Sequence, residues 1–406
     1  MAALGSPAAA LCRSLLRPRG PGQAAARRGV RALRRSPVRV LPPRDKRNAP
    51  AAEARQEPPE PPPPAVERSS AGPGLWYEKA APGDRRLGKV VTIAKSKKFR
   101  DQHGKVLLEG HRLIRDALEA GAVLQTLFFS TVGHLKELPQ AQLKQANLVK
   151  VKFEDIKSWS DLVTPQGLIG IFSKPNHAKM SYPAAQLTSS LPLLLICDNI
   201  RDPGNLGTIL RSAAGAGCEK VLLTKGCVDP WEPKVLRAGM GAHFRLPIVT
   251  SLDWESVPDN LPAGVRVCVA DNRDPATASL LGGAGGAASA PGSPKSRPKA
   301  APEDEDEAED EEGGCVPELS AQYYYEDWTG AAVAAVVIGG ETQGVSAAAR
   351  RLAASTRGSR LVIPVVPGVD SLNSAMAAAI VLFEGKRQLL QRHKQEGKRQ
   401  KLPVVG

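Results

Sequence analysis

The chain has 406 residues, 42% of them hydrophobic, and a formal net charge of +14. No apolar run reaches the roughly 20 residues a membrane span needs, and six scattered cysteines with no CxxC or Cys/His spacing argue against a metal site and fit a reducing compartment. The length allows two or three domains, and the basic balance points to a polyanion partner, most simply a nucleic acid.

Residues 1–44 hold ten Arg and no acidic residue. "MAALGSPAAALCRSLLRPRGPGQAAARRGVRALRRS" has the Ala- and Arg-rich composition of a mitochondrial transit peptide. Residues 1–47 are therefore expected to be a presequence that directs the chain to the mitochondrial matrix. The other reading is a basic arm that binds RNA directly. Residues 48–90, with "EARQEPPEPPPP", read as a stiff, disordered linker.

Regular patterning is expected from about residue 91. "KVLLEG" reads as a strand and "HRLIRDALEAG" as a helix with Leu113, Ile114, Ala117 and Leu118 on one face. "VLQTLFFS", "LVKVKF" and "QGLIGIF" read as strands, and "LKELPQAQLKQAN" as a helix that carries Pro139. This alternation predicts a small α/β domain over 91–180. A second α/β domain is expected over 190–396. Its strands "PLLLIC", "KVLLT", "FRLPIV", "VRVCV", "VAAVVI" and "RLVIP" are nearly all apolar, as in a sheet covered on both faces. A Gly-, Ala- and acid-rich insertion at about 275–320 cannot bury enough apolar surface to order itself. Residues 397–406 form a basic tail.

Three strand ends in the second domain carry polar residues beside glycines, where α/β proteins place their ligands. "DNIRDPGNLGTILRSAAGAG" supplies Asn205, read as the cap of the following helix, and Arg211 on the side away from its apolar face. Gly207 is expected to leave bare surface for a substrate. "GGETQGVS" supplies Gly339, Gly340 and Glu341, and "VIPVVPGVDSLNSAMAAAI" supplies Ile363, Ser371, Leu372 and Asn373, with Ser371 or Asn373 as a helix cap.

These three stretches, in this order, resemble the signature motifs of the SpoU, or TrmH-like, RNA ribose 2′-O-methyltransferases of the SPOUT superfamily. Together with the Arg-rich presequence, the resemblance points to the mitochondrial ribosomal RNA members. Residues 91–180 resemble the accompanying L30e-like substrate-binding domain. The resemblance implies an α/β fold with a trefoil-knotted C-terminal domain, S-adenosylmethionine as cofactor, no metal, and a homodimer. It implies cofactor contacts from Gly339, Gly340, Ile363 and Leu372. Asn205 and Arg211 would serve the acceptor ribose, with Glu341, Ser371 and Asn373 organising the site. The expected substrate is mitochondrial large-subunit ribosomal RNA, with guanosine favoured. Arg is almost always protonated, so Arg211 is expected to stabilise a developing alkoxide and a phosphate rather than act as a base. Gly239 departs from the Ser of many relatives. The competing readings are a catalytically inactive ribosome-assembly factor and a transfer RNA 2′-O-methyltransferase.

Overall fold

The computed structural model describes residues 68–72, 74–81, 84–160, 164–182, 184, 188–272, 317–369 and 371–399. The expected presequence, the bulk of the expected insertion and the last residues of the tail lie outside them.

Order begins earlier in the chain than the linker reading allowed. Strands β1 (Arg68–Gly72) and β2 (Leu75–Lys79) pair antiparallel, and α1 (Arg85–Lys95) follows. Leu75 and Tyr77 are buried while Trp76 between them is exposed. The strand therefore alternates in burial, but its three consecutive large side chains hide that period in the sequence.

The small domain continues with α2 (Lys97–His103), β3 (Lys105–Glu109), α3 (His111–Glu119), β4 (Leu124–Phe129), α4 (Gly133–Lys136), α5 (Gln140–Leu143), β5 (Asn147–Lys150), α6 (Phe153–Trp159) and β6 (Leu168–Ser173). The single helix expected around Pro139 is two one-turn pieces, because proline removes a donor and clashes with the preceding turn. The sheet order is β1-β2-β5-β4-β6-β3. Ile114, Ala117 and Leu118 of α3 pack with Leu108, Leu127 and Phe129 on one face, and Val90, Ile93 and Ile156 pack with Phe128 and Val149 on the other.

The second domain holds β7 (Leu191–Asp198), α7 (Pro203–Ala216), β8 (Cys218–Thr224), α8 (Pro233–Gly239), β9 (Ile248–Leu252), β10 (Val265–Ala270), β11 (Ala321–Tyr323), β12 (Val333–Gly339), α9 (Ala347–Ser355), β13 (Arg360–Val362) and α10 (Ser374–Arg399). All six strand pairings are parallel, in the order β11-β13-β10-β12-β7-β8-β9. Leu193, Leu195 and Cys197 of β7 face α7 and α10, whereas Leu194 and Ile196 face α9. Burial on both faces explains the near-continuous apolar strands. "FRLPIV" is strand only in its last residues. Ala242–Phe244 form a 3₁₀ turn, and Phe244 is buried in the core of the small domain.

Trp231 and Leu236 join Phe244 in that core, so the two domains share apolar packing. A buried ion pair reinforces it. Arg100 reaches Asp229 at 2.7 Å, with side chains only 4% and 6% exposed, and also donates to the carbonyls of Ile93 and Ala94 at 3.0 Å. Among the described residues no helix is long and apolar enough to cross a membrane.

Candidate active site

Parallel strands bring all their carboxyl ends to one edge, and the three polar corners meet there. β7 and β12 run in register to their last residues, Asp198 beside Gly339. The Gly340 amide donates to the Asp198 carbonyl at 3.1 Å, and the Gly344 amide donates to the Gly340 carbonyl at 2.8 Å. A Cβ on Gly339 would lie 2.2 Å from the Gly344 carbonyl, and one on Gly340 would lie 2.7 Å from the Asn199 carbonyl. These glycines therefore permit a backbone turn to fold onto itself. The Asp198 carboxylate is buried and accepts from the Ser346 amide at 2.7 Å, at the cap of α9. Burial raises its pKa, opposed by hydrogen bonds from Ser346 and Trp254.

The first corner differs from its sequence reading. Asp202, not Asn205, caps α7: its carboxylate accepts from the Asn205 amide at 2.7 Å, with Pro203 in the first turn. This releases the Asn205 side chain for another task. Its Nδ2 donates to Glu341 Oε1 at 2.9 Å, and its Oδ1 accepts from Asn373 Nδ2 at 2.9 Å. Asn373 Nδ2 also donates to Glu341 Oε1. Asn373 is at the same time the cap of α10, since its Oδ1 accepts from the amides of Ala375 and Met376 at 3.0 and 3.3 Å. One residue from each of three corners thus closes a triangle of hydrogen bonds.

Glu341 also stands on the rim of a crevice that opens to solvent. Gly339, Gly340, Ile363, Ser371 and Leu372 line it, with apolar walls from Ile338, Val345 and Leu361. Three further lining residues were not legible in the sequence. Asn272 pins the backbone of Ile363 by two hydrogen bonds, at 2.6 and 3.0 Å. Asp271 accepts from Arg350 at 2.6 Å. Ser374 Oγ is buried in the crevice wall with no hydrogen-bond partner among the described residues. The signal for the first two was present in kind: "VRVCVADN" is another strand end carrying polar residues.

Arg211 does not join the triangle. It is exposed and makes no hydrogen bond or ion pair among the described residues. By helical period it shares a stripe of α7 with Gly204, Thr208 and Gly215. A Cβ on Gly215 would touch the Phe383 ring at 3.6 Å. Gly207 does not offer bare surface either. It is buried, and a Cβ there would meet Ala238, the Val235 carbonyl and the Gly239 amide within 2.9 Å, so its role is the close crossing of α7 and α8. Gly239 lies at the same crossing, where a Cβ would press on His243 at 2.7 Å.

Comparison with known proteins adds to this geometry. A model of the SpoU rRNA Methylase family matches residues 192–281, and one of an MRM3-like substrate binding domain matches residues 89–170. The chain is 56% identical to rRNA methyltransferase 3, mitochondrial, of Homo sapiens, over 96% of this chain and 97% of that protein. It is 29% identical to the 23S rRNA (guanosine(2553)-2'-O)-methyltransferase RlmP of Bacillus subtilis, over 42% of this chain and 64% of that one. The crystal structure of an AdoMet-bound rRNA methyltransferase from Sinorhizobium meliloti superposes with a TM-score of 0.56 at 23% identity, covering 77% of this chain and 98% of that chain, a likeness of fold.

Proposed function

The chain belongs to the SpoU rRNA methylase family and is an RNA methyltransferase, and on that premise we propose that it methylates a ribose 2′-hydroxyl of mitochondrial large-subunit ribosomal RNA, at a guanosine, in the mitochondrial matrix. One observation carries the reading. Asn205, Glu341 and Asn373, from three distant motifs, converge in a single hydrogen-bonded triangle on the rim of a lined crevice. The names of the human and Bacillus relatives support the compartment, the base and the large-subunit target. The Arg-rich segment 1–47 is assigned to import, and its fusion to a reporter should deliver that reporter to the matrix.

The crevice fits S-adenosylmethionine. It joins apolar walls to a polar rim, and the buried Ser374 hydroxyl has a hydrogen bond to give. Gly339, Gly340, Ile363 and Leu372 would hold the cofactor, with Ser371 at the entrance. When bound, it supplies an electrophilic methyl group on a sulfonium. The chain's own residues do the rest. The triangle fixes the Glu341 carboxylate and both amides before substrate arrives, so no side-chain ordering is left to the reaction step. Asn205 and Glu341 then orient the ribose hydroxyl and assist loss of its proton. Arg211 contributes a permanent positive charge toward the developing alkoxide and a neighbouring phosphate.

A homodimer supplies what a single chain lacks. Met376, Phe383 and Leu390 recur every seventh residue along α10 at 50%, 49% and 41% exposure, an apolar stripe suited to a second copy. Arg211 stands beside that stripe through Gly215 and Phe383. It would therefore serve the crevice of the partner protomer. The strand order also supports the knotted topology: β13, late in the chain, lies between β10 and β11, and α10 then returns against α7. Mapping ribose methylation in mitochondrial RNA with and without the protein tests the assignment. Loss of methylation at one large-subunit guanosine is expected, and an unchanged map refutes it.

A further inference from the structure

The hairpin β1–β2 precedes the residues matched by the substrate-binding domain, yet it extends that domain's sheet. Trp76 of the hairpin is a large aromatic side chain left 60% exposed. Leu75 and Tyr77 point into the core shared with α3, so Trp76 points to the opposite face. β2 pairs with β5 in parallel, Glu78 beside Val149, which sets Trp76 beside Asn147. Asn147 in turn pairs with Thr126 of β4. One row of the open sheet face thus carries an indole, an amide and a hydroxyl. α1 stops short of this row: Arg86, in its first turn, holds Glu78 at 2.8 Å, two residue pairs along. Lys144 reaches the same place, since a Cβ on Gly74 would lie 3.6 Å from its Cε and 3.8 Å from its Nζ. Gly74–Glu78, Lys144 and Asn147 are among the residues that border an open crevice here.

From this we propose that the hairpin is a second RNA contact, taking one unpaired nucleotide away from the methylation site. The base stacks on Trp76, its edge meets the Asn147 amide, and a flanking phosphate meets Lys144. Single-stranded RNA fits because only an unstacked base presents its face to an aromatic ring. Duplex RNA keeps its bases inside. The proposal rests on the RNA-substrate reading above, and it adds a site to it.

The test uses the full chain, a fluorescein-labelled unstructured oligoribonucleotide of about ten nucleotides, and a duplex of the same sequence. Trp76→Ala should weaken single-strand binding by about tenfold, the scale of losing one base–aromatic stack, and leave duplex binding unchanged. Trp76→Phe should keep most of the affinity. Lys144→Ala should lower the slope of log affinity against log salt by about one. Methyl transfer by the same wild-type preparation separates the two readings. A wild type that transfers methyl groups while Trp76→Ala binds the single strand equally well overturns this site and leaves the methylation reading standing. A wild type that holds the oligonucleotide through Trp76 but transfers no methyl supports this site and overturns the methylation reading.

Discussion

Asn205 donates its side-chain amide to Glu341 across 2.9 Å, although 136 residues separate the two in the chain. The contact exists because parallel strands β7 and β12 are neighbours and end together. Asn205→Ala should cut single-turnover methyl transfer by about a hundredfold, the scale of losing one preorganised polar group, with the thermal midpoint nearly unchanged. Asn373→Ala should lose transfer to the same extent and also lower the thermal midpoint, because it removes the cap of α10. Because both amides hold one carboxylate, the double variant should be little worse than either single. Losses that multiply would show that the triangle does not act as a unit.

Much of this site was legible because buried parallel strands announce themselves as apolar runs, and the polar residues that follow each run must gather at one edge. Where sequence pattern and structure differ, the causes are local. "DPGN" offers two capping residues, and the proline at the first helical position marks Asp202 as the cap. β2 hides in a linker-like stretch because Leu75, Trp76 and Tyr77 are three consecutive bulky side chains, so no alternation shows although their burial alternates. Asn272 could not be assigned a role, since the backbone it pins, Ile363, lies 91 residues away. The direction Arg211 faces depends on helix packing that no local pattern encodes.

The Ser374 hydroxyl gives a prediction with opposite signs in two measurements. Among the described residues it is a buried donor with no partner, which costs stability. Ser374→Ala should therefore leave the thermal midpoint equal or higher. If S-adenosylmethionine accepts from that hydroxyl, the same change should weaken its binding about tenfold by calorimetry. Equal affinity for the variant would remove Ser374 from the cofactor site.

Arg100 and Asp229 tie the substrate-binding domain to the catalytic one from inside the protein. Removing one partner leaves a buried charge without compensation. Arg100→Ala should destabilise by about 3 to 5 kcal/mol, whereas replacing the pair with Met and Leu should recover most of that loss. Urea unfolding measures both. A mild effect of Arg100→Ala would mean that water reaches the junction.

Acid should loosen the same junction. Burial pushes the His243 and His177 imidazoles down to about 4, and their rings flank Trp231. Folded, both stay neutral until about pH 4; unfolded, both take up a proton near 6.5. In that window the unfolded chain binds more protons, so stability falls as pH drops from about 6.5 toward 4 and is fully present above 6.5. His243→Gln should flatten part of the slope in unfolding midpoints measured across that range. An unaltered slope would assign the acid sensitivity elsewhere.

Arg211 provides the sharpest test of the proposed chemistry. It takes no part in its own triangle, yet it stands on the α7 stripe that meets Phe383. If it stabilises the transition state, Arg211→Ala should cut turnover by roughly two to three powers of ten, with cofactor affinity little changed. Arg211→Lys should rescue poorly, because a point charge lacks the guanidinium fork. Mixing variants then decides which crevice it serves. In a dimer of Arg211→Ala with Glu341→Ala, action across the interface leaves one crevice with both an intact Glu341 and an intact Arg211. Random exchange makes half of the dimers mixed, so turnover should recover to about a quarter of wild type. Action within one chain leaves every crevice defective and gives no recovery. A solvated, idle Arg211 predicts near-normal turnover for Arg211→Ala alone, and that result would remove it from the mechanism.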